Sequence, residues 1–408
     1  MEHRSDITIV GGGLNGPALA LALADTGHMV TIIDAAPDEA RSTEGFDGRG
    51  YALSLASQRL LKAIDIWPKV AQNAQPILEI KVSDGEAGKG ASPHFLHFDH
   101  AEIEEGPMGY MLEDRFLYGA FQERLKTHPK ITIIRGAKAI AQDTDAFSAT
   151  VTLGQGDVVH SKLIIGCDGR QSGTAARAGI TRSGHDYGQT GLVCAIETEH
   201  PHNGTAHQFF MPPGPLAILP LPGNFVSIVW TETTEAAKRI VALSDEDYLK
   251  ELKPRFGSFM GDIKLAGDRF AYPLNLTLAD RFVTERVALV GDAAHGVHYI
   301  AGQGLNLGLK DVAALAEILT NAKRRGEDIG AINILERYQT WRRFDTTTLV
   351  AATEGVNTLF SNDNGALRAV REMGLGLVNA MPKLRRSLIR QAAGLEGEMP
   401  KLLQGRQI

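Results

Sequence analysis

The chain has 408 residues, 43% hydrophobic and 22% charged, with a net charge of −6, which bounds it to a soluble globular protein of roughly two to three domain-sized cores. The spread of that charge excludes a general nucleic-acid binder, and no run reaches the ~18 apolar residues of a membrane span. Two cysteines, Cys167 and Cys194, with no CxxC pair, point away from a disulfide framework or structural zinc and fit a reducing cytosol; the polar start MEHRSD has no secretory character.

From Ile9 the chain reads as a short β-branched strand, a Gly11-x-Gly13-x-x-Gly16 turn, a helix, and a second strand closing on Asp34. This is the context a dinucleotide fingerprint needs. Gly11 permits the tight turn, Gly13 admits a pyrophosphate to the backbone, and Gly16 lets helix and strand pack closely. The helix start offers free N–H groups, and Asp34 can accept from a ribose. A polar loop then runs to about residue 50. The spacing predicts helices over 54–70 and 115–127 and strands over 78–82, 131–134 and 162–165. Residues 83–107, rich in Gly, Pro and His, read as irregular.

The strand over 162–165 ends in Asp168-Gly169-Arg170-Gln171-Ser172. Asp168 either orients a loop near the cofactor or belongs to an ordinary Asp-Gly turn. From about 184 to 269 alternating strands separated by turn signals such as MPPGP predict a mostly antiparallel sheet inserted into the nucleotide domain. A buried strand over 287–290 then leads into Gly291-Asp292-Ala293-Ala294-His295. A helix over 304–319 opens from Ala301-Gly302-Gln303-Gly304-Leu305-Asn306, a favourable place for an anion. The fold class is therefore mixed α/β, a Rossmann-like domain with an inserted antiparallel sheet domain and a helical C-terminal tail.

Three motifs in this order resemble the flavoprotein aromatic hydroxylases of the p-hydroxybenzoate hydroxylase fold. GDAAH followed by AGQGLNLGLKD is similar to the branch that hydroxylates ubiquinone precursors. Asp47-Gly48-Arg49 with Ala52-Leu53-Ser54, Asp114-Arg115-Phe116-Leu117, and the tail segments Leu359-Phe360-Ser361 and Arg371-Glu372-Met373-Gly374-Leu375 also resemble that family.

The resemblance implies that residues 1–73, 107–183 and 275–345 form a discontinuous FAD-binding domain. It makes residues 74–106 and 184–274 a substrate-binding sheet domain, and 346–408 a helical C-terminal segment. It implies that Gly11, Gly13, Gly16 and Asp34 hold the adenosine diphosphate half of FAD, that Arg49 and Arg115 lie along the cofactor, and that Asp168 supports the second fingerprint. Asp292 would bind the ribityl chain, and Gly304, Leu305 and Asn306 would meet the isoalloxazine. The family usually has proline where this chain has Tyr299, beside the reactive face of the flavin, and often arginine where this chain has Ala175.

The implied reaction is a monooxygenase cycle. NADPH or NADH visits transiently and reduces FAD, O2 adds to give a flavin C4a-hydroperoxide, and its distal oxygen passes to the ring of a polyprenyl phenol in ubiquinone biosynthesis. The cofactor carries the bond chemistry. A base that deprotonates the phenol would help, and proximity to the motifs makes His298, Tyr299 and Tyr51 the candidates. Other readings are a related flavin monooxygenase of another aromatic or an alkene, and a weakly active flavin-binding subunit of a quinone-biosynthesis complex.

His94, His97 and His100 lack a recognised ligand spacing, so no metal site is expected. The basic tail, with Arg368, Arg371, Lys383, Arg385, Arg386 and Arg390, is read in two ways. It is a segment lying on anionic lipid at the inner face of the cytoplasmic membrane, or a helical pair packed on the core with a solvated basic face. The expected location is the cytoplasm, with or without that peripheral contact.

Overall fold

A computed structural model describes residues 1–37, 49–88, 90–297, 303–360, 374 and 376–408. Its centre is a six-stranded sheet in the order Val283–Thr284, Val287–Leu289, Leu163–Gly166, Ile7–Val10, Val30–Asp34, Ile131–Arg135. All pairs are parallel except the first. Every residue of Ile7–Val10 and Leu163–Gly166 is buried, as expected of parallel strands covered on both faces. Helix Asn15–Asp25 is buried from Gly16 through Ala24. It is apolar nearly all round because it packs between this sheet and helix Gln303–Arg324.

A nine-stranded sheet forms the second layer. Its order is His295–Gly296, Phe270–Ala279, Arg182–Thr198, Phe225–Thr233, Leu216–Leu221, Thr205–Phe210, Glu79–Glu86 and Gly90–Asp99, with Ile263–Leu265 also on Arg182–Thr198. Its pairs are antiparallel apart from Thr205–Phe210 with Glu79–Glu86. The irregular reading of 83–107 is corrected here: Glu79–Glu86 and Gly90–Asp99 are a hairpin. The first of these strands finds its other partner more than 100 residues downstream, so local turn-formers obscured a pairing fixed by distant chain.

Away from the irregularities at Asp186–Gln189 and Ser83–Gly85, side chains in this sheet alternate between faces. Leu192, Cys194, Ile196, Ile218, Ile228 and Trp230 point to one core. That core is closed by two helices the sequence reading did not foresee, Thr234–Val241 and Asp245–Phe256. Both start on a side-chain cap: Thr233 accepts from the Ala236 N–H and Ser244 from the Asp247 N–H, each at 3.2 Å. The intervening residues of the strands face the other way, toward the nucleotide domain.

The predicted helix over 54–70 is split. Leu55–Ala63 starts on the Ser54 cap, Asp65 takes φ +59°, and Trp67–Val70 follows. The tail carries helix Pro382–Ala392, whose Ile389 and the following Ala393 are fully buried against Leu96, Phe98 and Ile103, and a last turn, Lys401–Gln404. Arg385 and Arg390 pair with Glu102 and Glu105, each at 2.9 Å. Of the two readings of the tail, packing on the core describes this helix. No helix among the described residues is long and apolar enough to cross a membrane.

Candidate active site

The first glycine turn is sterically tight where the fingerprint requires it. Gly11 has φ +113°, and a Cβ there would lie 2.2 Å from the Cys167 carbonyl oxygen; one on Gly16 would lie 2.0 Å from that of Gly11. A Cβ on Gly13, by contrast, would meet no protein atom within 4 Å, which leaves an approach to the backbone open. Helix Asn15–Asp25 has Leu14 at its N-cap, with no side-chain acceptor and no acid in the first turn. Its N–H groups and positive dipole end are available to an anion. Gly12 abuts the Asp34 carboxylate, 2.3 Å from where its Cβ would be.

Asn15, to which the sequence reading gave no role, ties the first motif to the third. Cβ atoms on Gly291 and Gly308 would lie 2.2 and 2.4 Å from its Nδ2, so both glycines are needed to seat it. Its Oδ1 is buried and, among the described residues, has no hydrogen-bond partner. The signal available in the sequence was a polar residue opening an otherwise apolar helix.

The second motif is held from within. The Asp168 carboxylate accepts from the Thr174 N–H and hydroxyl, both at 2.9 Å, and from the Ser172 hydroxyl. It thereby supports the first turn of helix Gly173–Arg177, whose N-cap is Ser172, and fixes the loop. Arg170, quoted in the motif without a role, makes the longer reach. It donates to Asp292 at 3.2 Å, to the Asn275 carbonyl and side chain at 2.8 and 2.7 Å, and to the Val297 carbonyl at 2.7 Å. The second and third motifs are thus joined through Asp292, whose carboxylate is 38% exposed.

Below Asp292 lies a buried ionic chain. Asp311, fully buried, accepts from the Gly291 N–H at 3.0 Å, from His295 Nε2 at 2.5 Å, and from Arg342 Nε at 2.8 Å. Arg342 also reaches Asp345 at 2.6 Å. Burial pushes the Asp311 carboxyl up, but His295 and Arg342 outweigh it and hold the group below its ordinary range. This chain pins the Gly291–His295 turn to two helices.

Opposite, Asn306 fastens helix Gln303–Arg324 to strand Gly50–Ser54. Its Oδ1 accepts from the Ser54 N–H at 2.9 Å and the Ser57 hydroxyl at 2.7 Å, and its Nδ2 donates to the Ala52 carbonyl at 2.8 Å. With the side chain committed there, Asn306 offers its main chain to a ligand. A Cβ on Gly304 would meet nothing within 4 Å. The Tyr51 hydroxyl donates to Asp114 at 2.9 Å, and Arg49 lies 3.4 Å from the other oxygen of that buried carboxylate. Arg115 pairs with Glu113 at 2.7 Å and stacks over Phe116. His298 and Tyr299 lie outside the described residues.

Between these elements and the inner face of the nine-stranded sheet is a cavity of about 550 Å³. One wall holds Arg49, Tyr51, Gly304, Leu305 and Asn306. The other is mostly apolar, with Val82, Phe98, Val193, Phe210, Leu219 and Val229, and a few polar groups from Gln208, Thr231 and Tyr272. The described residues contain no cluster of three or more potential metal ligands; His97 pairs with Glu79 at 3.1 Å and His100 with the Leu78 carbonyl at 3.0 Å.

Two helix starts without acid in their first turns, open approaches at Gly13 and Gly304, and a buried unpaired Asn15 oxygen fit an elongated, anionic dinucleotide such as FAD. Residues 4–353 match the family model described as an FAD binding domain. The ubiquinone hydroxylase UbiL of Rhodospirillum rubrum is 44% identical over 404 residues, covering 98% of this chain and 93% of that protein. The 3-demethoxyubiquinol 3-hydroxylase of Escherichia coli is 34% identical over 394 residues, covering 96% and 99%. Among solved structures, p-nitrophenol 4-monooxygenase PnpA from Pseudomonas putida superposes with a TM-score of 0.80 at 20% identity, over 98% of this chain and 100% of that one.

Proposed function

The chain belongs to the FAD-binding aromatic hydroxylases, and on that premise we propose that it hydroxylates the ring of a polyprenyl phenol in ubiquinone biosynthesis, with NADPH or NADH as reductant and O2 as cosubstrate. The observation that carries this reading is the apolar cavity bordered directly by the Gly304–Asn306 turn and Tyr51. The names of the UbiL and Escherichia coli relatives support the pathway.

Gly11, Gly13 and Gly16 with the start of helix Asn15–Asp25 would hold the pyrophosphate, and Asp34 the adenosine ribose. Asp292, oriented by Arg170, would hold the ribityl chain, while Arg49 borders the ring end and Arg115 stays with Glu113 on the flank. Asp168 acts through the loop it fixes. The main chain of Gly304, Leu305 and Asn306 would face the isoalloxazine at a helix start, where negative charge on the reduced ring is favoured. Bound FAD would supply the electrons and the oxygen activation.

The rest is positioning. Tyr51, whose hydroxyl donates to Asp114, lines the cavity beside the Gly304–Asn306 turn. A substrate phenol lying against it would be oriented for attack on the oxygen donor. The apolar wall excludes water, which protects oxygen transfer from loss as hydrogen peroxide. The protein would work in the cytoplasm, and the solvated face of the packed tail helix, with Lys383 and Arg386 exposed near Leu377, would be the part that meets the membrane holding such a lipid.

The test is incubation of the reduced, FAD-loaded protein with a prenyl phenol under labelled O2. One labelled oxygen in the ring is expected; an unlabelled ring with full hydrogen peroxide yield overturns the hydroxylase reading.

A further inference from the structure

The cavity reaches Ala392, the last residue of helix Pro382–Ala392. Leu384, Leu388 and Ala392 fall at i, i+4 and i+8, along one flank of that helix, and Met381 is the residue at its N-cap. Their exposure forms a ramp. Met381 is 47% exposed and Leu384 40%, Leu388 is half-buried, and Ala392 lines the cavity. Leu377, 62% exposed, lies in the short segment that precedes this helix. Arg385, next after Leu384 in sequence, is neutralised by Glu102 at 2.9 Å, so no free charge interrupts the path at that point. The segment is fixed to strand Gly90–Asp99, whose His97 N–H donates to Asn379 at 3.0 Å.

A cavity of about 550 Å³ suits a drug-sized ligand. A phenol carrying several isoprene units is larger, and its tail must leave. We infer that the isoprenoid tail leaves past Ala392 and lies along Leu388, Leu384 and Met381, so that this flank discriminates substrates by tail length. The inference rests on the proposed function. Its driving force is the apolar area a tail covers on these side chains instead of meeting water.

The test compares two phenols, one with a single isoprene unit and one with several, on FAD-loaded protein in detergent micelles. Leu384→Glu is expected to raise KM for the long-tailed phenol about tenfold, with kcat and the short-tailed KM unchanged. Met381→Glu, farther along the path and outside the cavity, should give the same split more weakly; should Leu384→Glu fail to fold, Met381→Glu decides alone. An equal change for both phenols, or none for either, overturns the path. So does a KM change seen only with vesicles, which would mark a membrane-docking surface. If the unmutated protein hydroxylates neither phenol, the proposed function fails instead. The path is then read by the fluorescence of Leu388→Trp: a shift with the long-tailed phenol alone supports it, and no shift overturns it.

Discussion

At the nucleotide end of the cleft, a Cβ on Gly11, Gly16, Gly291 or Gly308 would fall within 2.4 Å of backbone or of Asn15. On the nine-stranded-sheet wall of the cavity, a Cβ on Gly191 would make only ordinary contacts, the nearest at 3.7 Å, whereas one on Gly109 in the opposite wall would lie 2.3 Å from the Leu53 carbonyl oxygen. The first end is over-determined: several segments meet there with no room to adjust. The second is a sheet face whose side chains can change size one at a time without moving the backbone. Such a division lets one cofactor site serve a substrate wall that is free to vary.

The largest expected effect lies where that contrast is sharpest. Gly11→Val sets a branched side chain against the Cys167 carbonyl at a φ of +113°, and the turn must open. We expect no bound FAD, read as loss of flavin absorbance in the purified protein, and a fall in Tm of about 10 °C or more. Gly13→Val, one turn position away, should keep the Tm within about 3 °C while also losing FAD, because its side chain enters only the open approach. Equal Tm losses in the two variants would break the comparison.

Asp311→Asn probes the layer beneath. Arg342 would keep its buried charge with only Asp345 of its two carboxylate partners left, at a cost of about 1.5–3 kcal/mol in urea unfolding. In the intact protein the Asp311 carboxyl is held below its ordinary range, so its contribution is present above the unfolded value of ~4 and is lost as the pH falls through the folded one. The variant should lack that acid-side loss. An unchanged pH profile would mean that the ionic chain is incidental to the turn it touches.

The two ends also differ in how far the sequence exposes them. The turn from Gly11 to Asp34 is a local object, set by spacing within one βαβ unit, and so are Asp168, Asp292 and the Gly304 helix start. Their assembly is not local. Gly11 meets Cys167, Arg170 meets Asp292, and Asn15 meets Gly291 and Gly308, contacts that no window of sequence contains. Asn306 illustrates the limit: its position in the motif was legible, but the commitment of its side chain to Ala52, Ser54 and Ser57 was not. The cavity wall was hidden more completely. Its alternation is readable strand by strand, yet which strands adjoin depends on pairings such as Thr205–Phe210 with Glu79–Glu86.

His28 offers a control remote from both ends. It is fully buried with no hydrogen-bond partner for either ring nitrogen among the described residues. Burial, with Lys323, Lys162 and Lys130 outweighing Asp6, pushes its pKa down to about 4. The folded ring stays neutral where the unfolded one, near 6.5, takes up a proton. Stability is therefore full above pH ~6.5 and is lost toward pH 4, by about 3 kcal/mol from this group. His28→Leu should flatten urea stability over that window while leaving flavin content alone. If flavin content falls with it, the nucleotide end is coupled to the opposite end of strand Val30–Asp34.

Gly191→Leu should move stability least and function selectively. The nearest atoms to its Cβ are side-chain carbons of Leu274 and Val229 at 3.7 and 3.8 Å, and the strand conformation carries no positive φ. The added side chain projects into the cavity from the face that also holds Val193 and Val229. We expect a change in unfolding free energy below about 1 kcal/mol and an unaltered flavin spectrum. Ring hydroxylation should fall by about tenfold or more, with NADPH oxidation diverted to hydrogen peroxide, because displacing the ring by one side chain costs orientation rather than cofactor. Loss of flavin in this variant would mean that cavity and nucleotide ends are one steric unit, against the contrast their glycines draw.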